Sequence, residues 1–158
     1  VNDWDEEHIV DILKGYGEES FAEKIAQKIC EKRLEKPIET TDELVEIVKL
    51  ATPNWYQHKK INPATKTFQA LRITVNDELR SLEEGLRKTF ELLNSHGRIA
   101  VISFHSLEDR IVKNIFREWS KEEKGILINK KPITPSRKEI LENRRSRSAK
   151  LRIIEKTP

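Results

Sequence analysis

The chain has 158 residues, 36% of them apolar and 36% charged, with a formal net charge of +3. That length suits one compact domain or one and a half small ones, and apolar residues gathered in periodic blocks exclude disorder throughout. No apolar run approaches the roughly 20 residues of a membrane span. The N-terminus lacks a basic region and a signal core, and the single cysteine, Cys30, excludes an internal disulfide and a cysteine-based zinc site.

In chain order, Asp5 to Lys14 reads as a short helix, with Ile9, Ile12, Leu13 and Tyr16 at helical spacing and Gly15 and Gly17 ending it. Glu18 to Lys36 reads as a second helix, with Phe21, Ala22, Ile25, Ile29 and Cys30 on one face and Pro37 as its stop. Cys30 is expected to be a core thiol, which suits a reducing, cytoplasmic setting. Thr40 and Glu43 offer a capping box for a third helix carrying Leu44, Ile47, Val48 and Ala51. After a connector over residues 54–61, Asn62-Pro63 predicts the start of a long helix whose apolar positions run from Phe68 through Phe90 to Leu93. Ile99 to Phe104 is a continuous apolar run after a glycine turn, the pattern of a strand buried on both faces as in a parallel sheet. Ser106 is expected to cap the next helix, with Leu107, Ile111, Val112, Ile115, Phe116 and Trp119 as its buried stripe. Ile126 to Ile128 and Ala149 to Glu155 predict short strands. These two can flank the buried strand on one side at most, so a neighbour for its other edge is expected from outside the chain.

Charge is distributed unevenly. Residues 1–53 carry 14 acidic and 7 basic side chains, and residues 54–158 carry 13 acidic and 23 basic, giving nets of −7 and +10. A basic half points to a polyanionic partner. Its densest part, Arg144 to Arg152, holds Arg144, Arg145, Arg147, Lys150 and Arg152, enough to neutralise phosphates without reading a base sequence. A second cluster joins Trp55 and Tyr56 to His58, Lys59 and Lys60, a mixture suited to stacking unpaired bases and holding their phosphates. Lys59, Lys60, Arg144, Arg145, Arg147 and Lys150 are therefore the expected nucleic-acid contacts, against the alternative of a solvated charged surface.

His105, Ser106 and Glu108 sit where a buried strand gives way to a helix, the place where open α/β sheets bind ligands. They are the candidate catalytic or substrate-side residues. A serine-hydrolase relay is disfavoured, because adjacent residues rarely form one and no nucleophile elbow is present. The five glycines form no phosphate or nucleotide loop, and the four histidines show no metal spacing, so no metal and no cofactor-binding residue is expected in this chain.

The stretches Asn62-Pro-Ala-Thr-Lys-Thr-Phe-Gln-Ala-Leu-Arg-Ile73, Val75-Asn-Asp-Glu-Leu79, Val101-Ile-Ser-Phe-His-Ser-Leu-Glu-Asp-Arg110 and Arg145-Ser-Arg-Ser-Ala-Lys-Leu-Arg152 resemble the RsmH, or MraW, family, as do Gly17-Glu-Glu and Pro37-Ile-Glu-Thr-Thr41. The resemblance runs in order over nearly the whole chain. It implies an α/β fold: the C-terminal half of a class I, Rossmann-like methyltransferase sheet (residues 62–158), preceded by a small all-α helical insertion domain (residues 1–61). It further implies transfer of a methyl group from S-adenosylmethionine to N4 of a cytosine in small-subunit (16S) ribosomal RNA. The family's cofactor loop and catalytic motif lie upstream, and no position here matches them. The chain contains no methionine. It is therefore expected to be a fragment, inactive by itself, whose open sheet edge is covered by the missing N-terminal half or by a second chain. A non-catalytic RNA-binding or assembly module is the alternative.

Overall fold

The structure, a computed structural model, describes residues 1–58 and 60–158, and its contacts divide the chain into two compact units, Val1–Asp77 and Glu78–Pro158. Among the described residues the first unit contains helices α1 (Glu6–Gly15), α2 (Ala22–Glu35), α3 (Thr41–Ala51), α4 (Asn54–Gln57) and α5 (Thr65–Asn76). Asp5 caps α1 by accepting from the His8 N–H at 2.8 Å, and Thr40 and Glu43 form the expected reciprocal capping box of α3. α2 starts at Ala22 rather than Glu18, because Glu18 takes a left-handed φ of 48° that no continuing helix tolerates. Ile9 and Leu13 of α1, Ile25 and Ile29 of α2, Leu44 and Val48 of α3 and Ala70 of α5 share one core. Cys30 packs half-buried against it. Below that core Glu19 is buried, accepting the Tyr56 hydroxyl at 2.7 Å. Burial, and then the neighbouring Glu19 carboxylate, push the Tyr56 phenol well above its ordinary value.

The single long helix expected from residue 62 onward is instead two helices, α5 and α6 (Glu78–Leu92), broken at Asp77. Asp77 adopts φ 49° and ψ 41°, a left-handed conformation that Asp tolerates better than most residues and that ends α5. Val75, in the last turn of α5, is 74% exposed. Asn62 does not cap the helix directly. Its carboxamide accepts from the Ala64 N–H at 2.9 Å in a turn that precedes Thr65.

The second unit continues from α6 with β1 (Arg98–Ser103), α7 (Ser106–Lys121), β2 (Gly125–Leu127), α8 (Arg137–Glu142), a short 3-10 helix (Arg144–Ser148) and β3 (Lys150–Lys156). The strands form a sheet in the order β1-β3-β2, with both pairings antiparallel. β1 is not buried on both faces as its apolar run suggested. Ile99, with Val101 packed beside it, points to a core built with Leu86 and Phe90 of α6, Val112, Ile115, Phe116 and Trp119 of α7, and Ile154 of β3, and Ser103 is buried on the same side of the strand. Ile102 points the other way and is 59% exposed, next to its half-buried cross-strand partner Leu151. Ile126 is exposed on β2. Among the described residues no strand pairs with the second edge of β1. Phe90 stacks on Trp119 with ring centroids 3.9 Å apart, and Lys156 donates to the Phe90 and Leu93 carbonyls at 3.1 and 2.7 Å, closing the end of α6 onto β3.

Gly17 is where the helical unit is least tolerant of added atoms. A Cβ there would lie 2.6 Å from the Leu13 carbonyl oxygen and 3.0 Å from that of Lys66, both backbone atoms that cannot swing aside. Gly17→Ala is expected to lower stability by about 2 kcal/mol, an overpacking cost, as read by urea denaturation.

Candidate functional site

The chain leaves β1 at Ser103, passes through Phe104 and enters α7 at Ser106. The spacing of Ser106 and Asp109 points to Ser106 as the cap of α7; the structure places the cap on His105. The His105 backbone is extended, with φ −138° and ψ 168°, and its Nδ1 accepts from the Glu108 N–H at 3.3 Å. Glu108 answers by accepting from the Phe104 and His105 N–H groups at 2.8 and 3.3 Å, so a histidine takes the role usually held by serine or threonine in a capping box. Ser106 becomes the first helical residue. The pattern Ser106 to Asp109 had concealed this, since it satisfies the same spacing rule one residue later.

The cap also decides the state of the ring. An Nδ1 that accepts a hydrogen bond holds no proton, so the neutral ring carries its proton on Nε2. Nε2 is buried and has no hydrogen-bond partner among the described residues, and Glu108 Oε1 stands 3.4 Å away. Glu78, at the start of α6, brings a third group near, with one ligand atom from each of Glu78, His105 and Glu108 lying within 4.8 Å of one another. While the cap is kept, Nε2 cannot lend a metal its lone pair. The cluster therefore presents a buried ring N–H in the neighbourhood of two carboxylates.

One turn further, Asp109 is buried and does more than complement the helix dipole. Its carboxylate accepts from Arg152 Nε at 2.7 Å and Arg152 NH2 at 3.2 Å, and from Lys150 Nζ at 3.3 Å. The Arg152 guanidinium, itself buried, is the main reason that the Asp109 carboxyl lies below its ordinary value, with Lys150 adding to the effect and burial opposing it. Lys150, expected to contact nucleic acid, is thus held half-exposed against Asp109. Arg144, Arg145 and Arg147 lie exposed on the 3-10 helix, and Ser146 turns inward to donate to the Asn143 carbonyl at 2.8 Å. In the helical unit Trp55 is 61% exposed while keeping edge contacts with Phe21 and Tyr56. Lys60 is exposed, and Lys59 lies outside the described residues. The structure brings His105, Ser106, Arg147 and Lys150 to one place; Trp55 and Lys60 belong to the other unit.

With this geometry in view, the comparisons with known proteins are specific. Residues 1–157 match the family described as the MraW methylase family. The chain is 55% identical over 153 residues to the ribosomal RNA small subunit methyltransferase H of Sulfurihydrogenibium sp. (strain YO3AOP1), covering 97% of this chain and 52% of that protein. It is 53% identical to the protein of the same name from Persephonella marina, over 99% of this chain and 53% of the relative, and 48% identical to that from Oenococcus oeni, over 99% and 54%. The chain spans about half the length of the curated relatives it matches.

Two outcomes follow from the site's geometry. His105→Ala should cost about 1 kcal/mol through loss of the cap, and His105→Asn, whose side-chain oxygen can accept from the Glu108 N–H, should restore most of it in thermal melts. Asp109→Asn should cost about 3 kcal/mol at neutral pH by leaving Arg152 buried against a neutral amide. The sign with pH follows from the depressed folded value. The stabilisation is fully present above the ordinary carboxyl value of 3.8 and is lost as pH falls through the lower folded value. Urea curves of the two proteins should therefore converge at acid pH.

Proposed function

Because the chain belongs to the MraW methylase family, we propose that it forms the RNA-handling, C-terminal part of an enzyme that transfers a methyl group from S-adenosylmethionine to N4 of a cytosine in small-subunit (16S) ribosomal RNA, working in the cytoplasm. The observation that carries this reading is the family match over residues 1–157, together with about half identity to relatives named as ribosomal RNA small subunit methyltransferases. The exposed arginines of the 3-10 helix support it, since sequence-independent phosphate contacts are what positions an RNA. In this reading residues 1–61 are the helical insertion and residues 62–158 belong to the methyltransferase domain. Among the described residues no helix is long and apolar enough to cross a membrane.

The residues present do not suit the cofactor. Its pocket in such folds needs a glycine turn between a strand and a helix, so that backbone N–H groups can approach the ligand. Gly15 and Gly17 lie at the end of α1, Gly85 lies within α6, Gly97 precedes β1, Gly125 begins β2, and none has a left-handed φ. The β1–α7 junction contains no glycine, and its N–H groups are taken up by the Glu108 and His105 box. We therefore assign the cofactor to the portion of the relatives that this chain does not span. The same portion, or a second chain, is proposed to pair with the open edge of β1 and to cover its exposed Ile102 face, which would otherwise invite aggregation.

The cytosine amine is a weak nucleophile because its lone pair is delocalised into the ring, so the protein must hold the base in line with the methyl donor and accept hydrogen bonds from the amino group. A base in a duplex must also be exposed first. His105 can supply a fixed point on the substrate, donating from its buried Nε2 to a base or ribose oxygen, with Ser106 beside it and the Glu108 carboxylate holding the junction in shape. A non-catalytic RNA-binding module is favoured by one observation, the set of exposed arginines, and differs in its outcome. The chain alone should bind RNA but show no S-adenosylmethionine binding by calorimetry. Mixing it with the remaining half of a relative should restore methyl transfer, and in that assembly His105→Asn should lower turnover while keeping the melting temperature. Micromolar cofactor binding by the chain alone, or no transfer on reassembly, would overturn this assignment.

A further inference from the structure

Beside the β1–α7 junction lies a cavity of about 220 Å³ whose lining includes Phe104, Ser106, Thr134, Arg147, Ser148 and Lys150 and no carboxylate. We infer that this cavity is a phosphate subsite that seats a single backbone phosphodiester of a bound RNA, with the exposed Phe104 ring at its rim facing the adjoining nucleotide; this rests on the reading of the chain as RNA-binding. Three features of the lining support it. The first is charge. At the neighbouring ion cluster one carboxylate, Asp109, faces two cations, Arg152 and Lys150, so one positive charge is left over on the cavity side. Arg147 adds a second, exposed and with no ion-pair partner among the described residues. Two uncompensated cations around a small concavity are what an anionic ester neutralises.

The second feature is the supply of hydroxyl donors. Thr134 and Ser148 reach the lining from the loop after β2 and the 3-10 helix, two separate parts of the chain. Hydroxyls from separate elements converging with cations suit the several oxygens of one phosphate better than the surface of a base. The third is that the walls are built. Ile133 exchanges two backbone hydrogen bonds of 2.9 Å with Leu151, which fixes Thr134 next to it. The buried Ser146 anchors the 3-10 helix to Asn143, and the Ala149 N–H closes on the Ser146 carbonyl at 2.8 Å. Lys150 is tethered by Asp109 and Phe104 by the Glu108 carboxylate. The N–H groups of the junction that the capping box has engaged are not available to an anion, so recognition falls to the side chains. Phe104, part of the lining, is 53% exposed, so its ring is open to stacking by a base.

The test uses the full chain, its Arg147→Ala variant and, as a control for mere surface charge, Arg144→Ala, which lies on the same 3-10 helix but outside the cavity lining. Each is titrated with inorganic phosphate, followed by backbone amide shifts of Ser106, Thr134 and Ser148, and with a single-stranded RNA oligonucleotide at several salt concentrations. Phosphate should shift those three amides together with millimolar affinity, and Arg147→Ala should weaken this about tenfold while Arg144→Ala leaves it unchanged. In the RNA arm, Arg147→Ala should lower the salt slope by about one unit and also abolish the shifts at Thr134 and Ser148. Equal effects of the two arginine variants on RNA, with no localised phosphate shifts, would overturn the subsite and leave the RNA reading intact. Localised phosphate binding without any RNA binding would sink the RNA reading, and with it the assignment of the occupant as a phosphodiester of RNA. Both exposed substitutions should leave the circular dichroism spectrum unchanged, so a loss of binding cannot be a loss of fold.

Discussion

The buried carboxylate of Asp109 organises the part of the second unit where a strand end, a helix start and a basic segment converge. It sits in the first turn of α7 and grips Arg152 of β3 through two hydrogen bonds, with Lys150 beside them. A buried ion pair of this sort gains little net stability over an apolar packing, but removing either partner is costly. Its effect is positional. It locks the helix against the strand in one register, and so fixes how far the N-terminus of α7 stands from the 3-10 helix that leads into β3. With Arg152 carrying most of the pairing, Lys150 keeps part of its charge directed outward.

The histidine at the junction shows how a residue can serve the fold and still be left with chemistry to offer. Nδ1 is occupied by the helix cap, and that contact holds the ring orientation and its tautomer at once. What remains is Nε2, buried, with Glu108 Oε1 3.4 Å away and Glu78 in the same cluster. A serine in the same place would cap the helix as well and leave nothing over.

The sheet carries a similar asymmetry. Its inner face is fully used by α6 and α7, with Phe90 stacked on Trp119 and Ile154 wholly buried. Its outer face exposes Ile102 and Ile126, and β1 offers an unpaired edge among the described residues. Three antiparallel strands with one covered face can hold together by themselves. The unpaired edge, not the face, is where a further strand could hydrogen-bond, and the chain spans about half the length of its relatives.

Much of the local structure is legible in the residues alone. The Thr40 and Glu43 box and the stripe of α7 follow from capping chemistry and periodicity, because those signals are set by neighbours three or four positions away, and the apolar run from Ile99 to Phe104 marks strand β1, though that strand is buried on one face only. The family, too, is written in the sequence, through long motifs that run in order along the chain. Tertiary structure decided the rest. Asp77 breaks what reads as one seven-turn stripe, since a left-handed residue costs Asp little and periodicity continues across it unaltered. His105 rather than Ser106 caps α7, since both satisfy the spacing and only the backbone conformation at the junction chooses between them. The pairing of Asp109 with Arg152, 43 positions away, and the closing of a cavity between Ser106, Thr134 and Arg147 depend on contacts between distant segments, which no local pattern encodes.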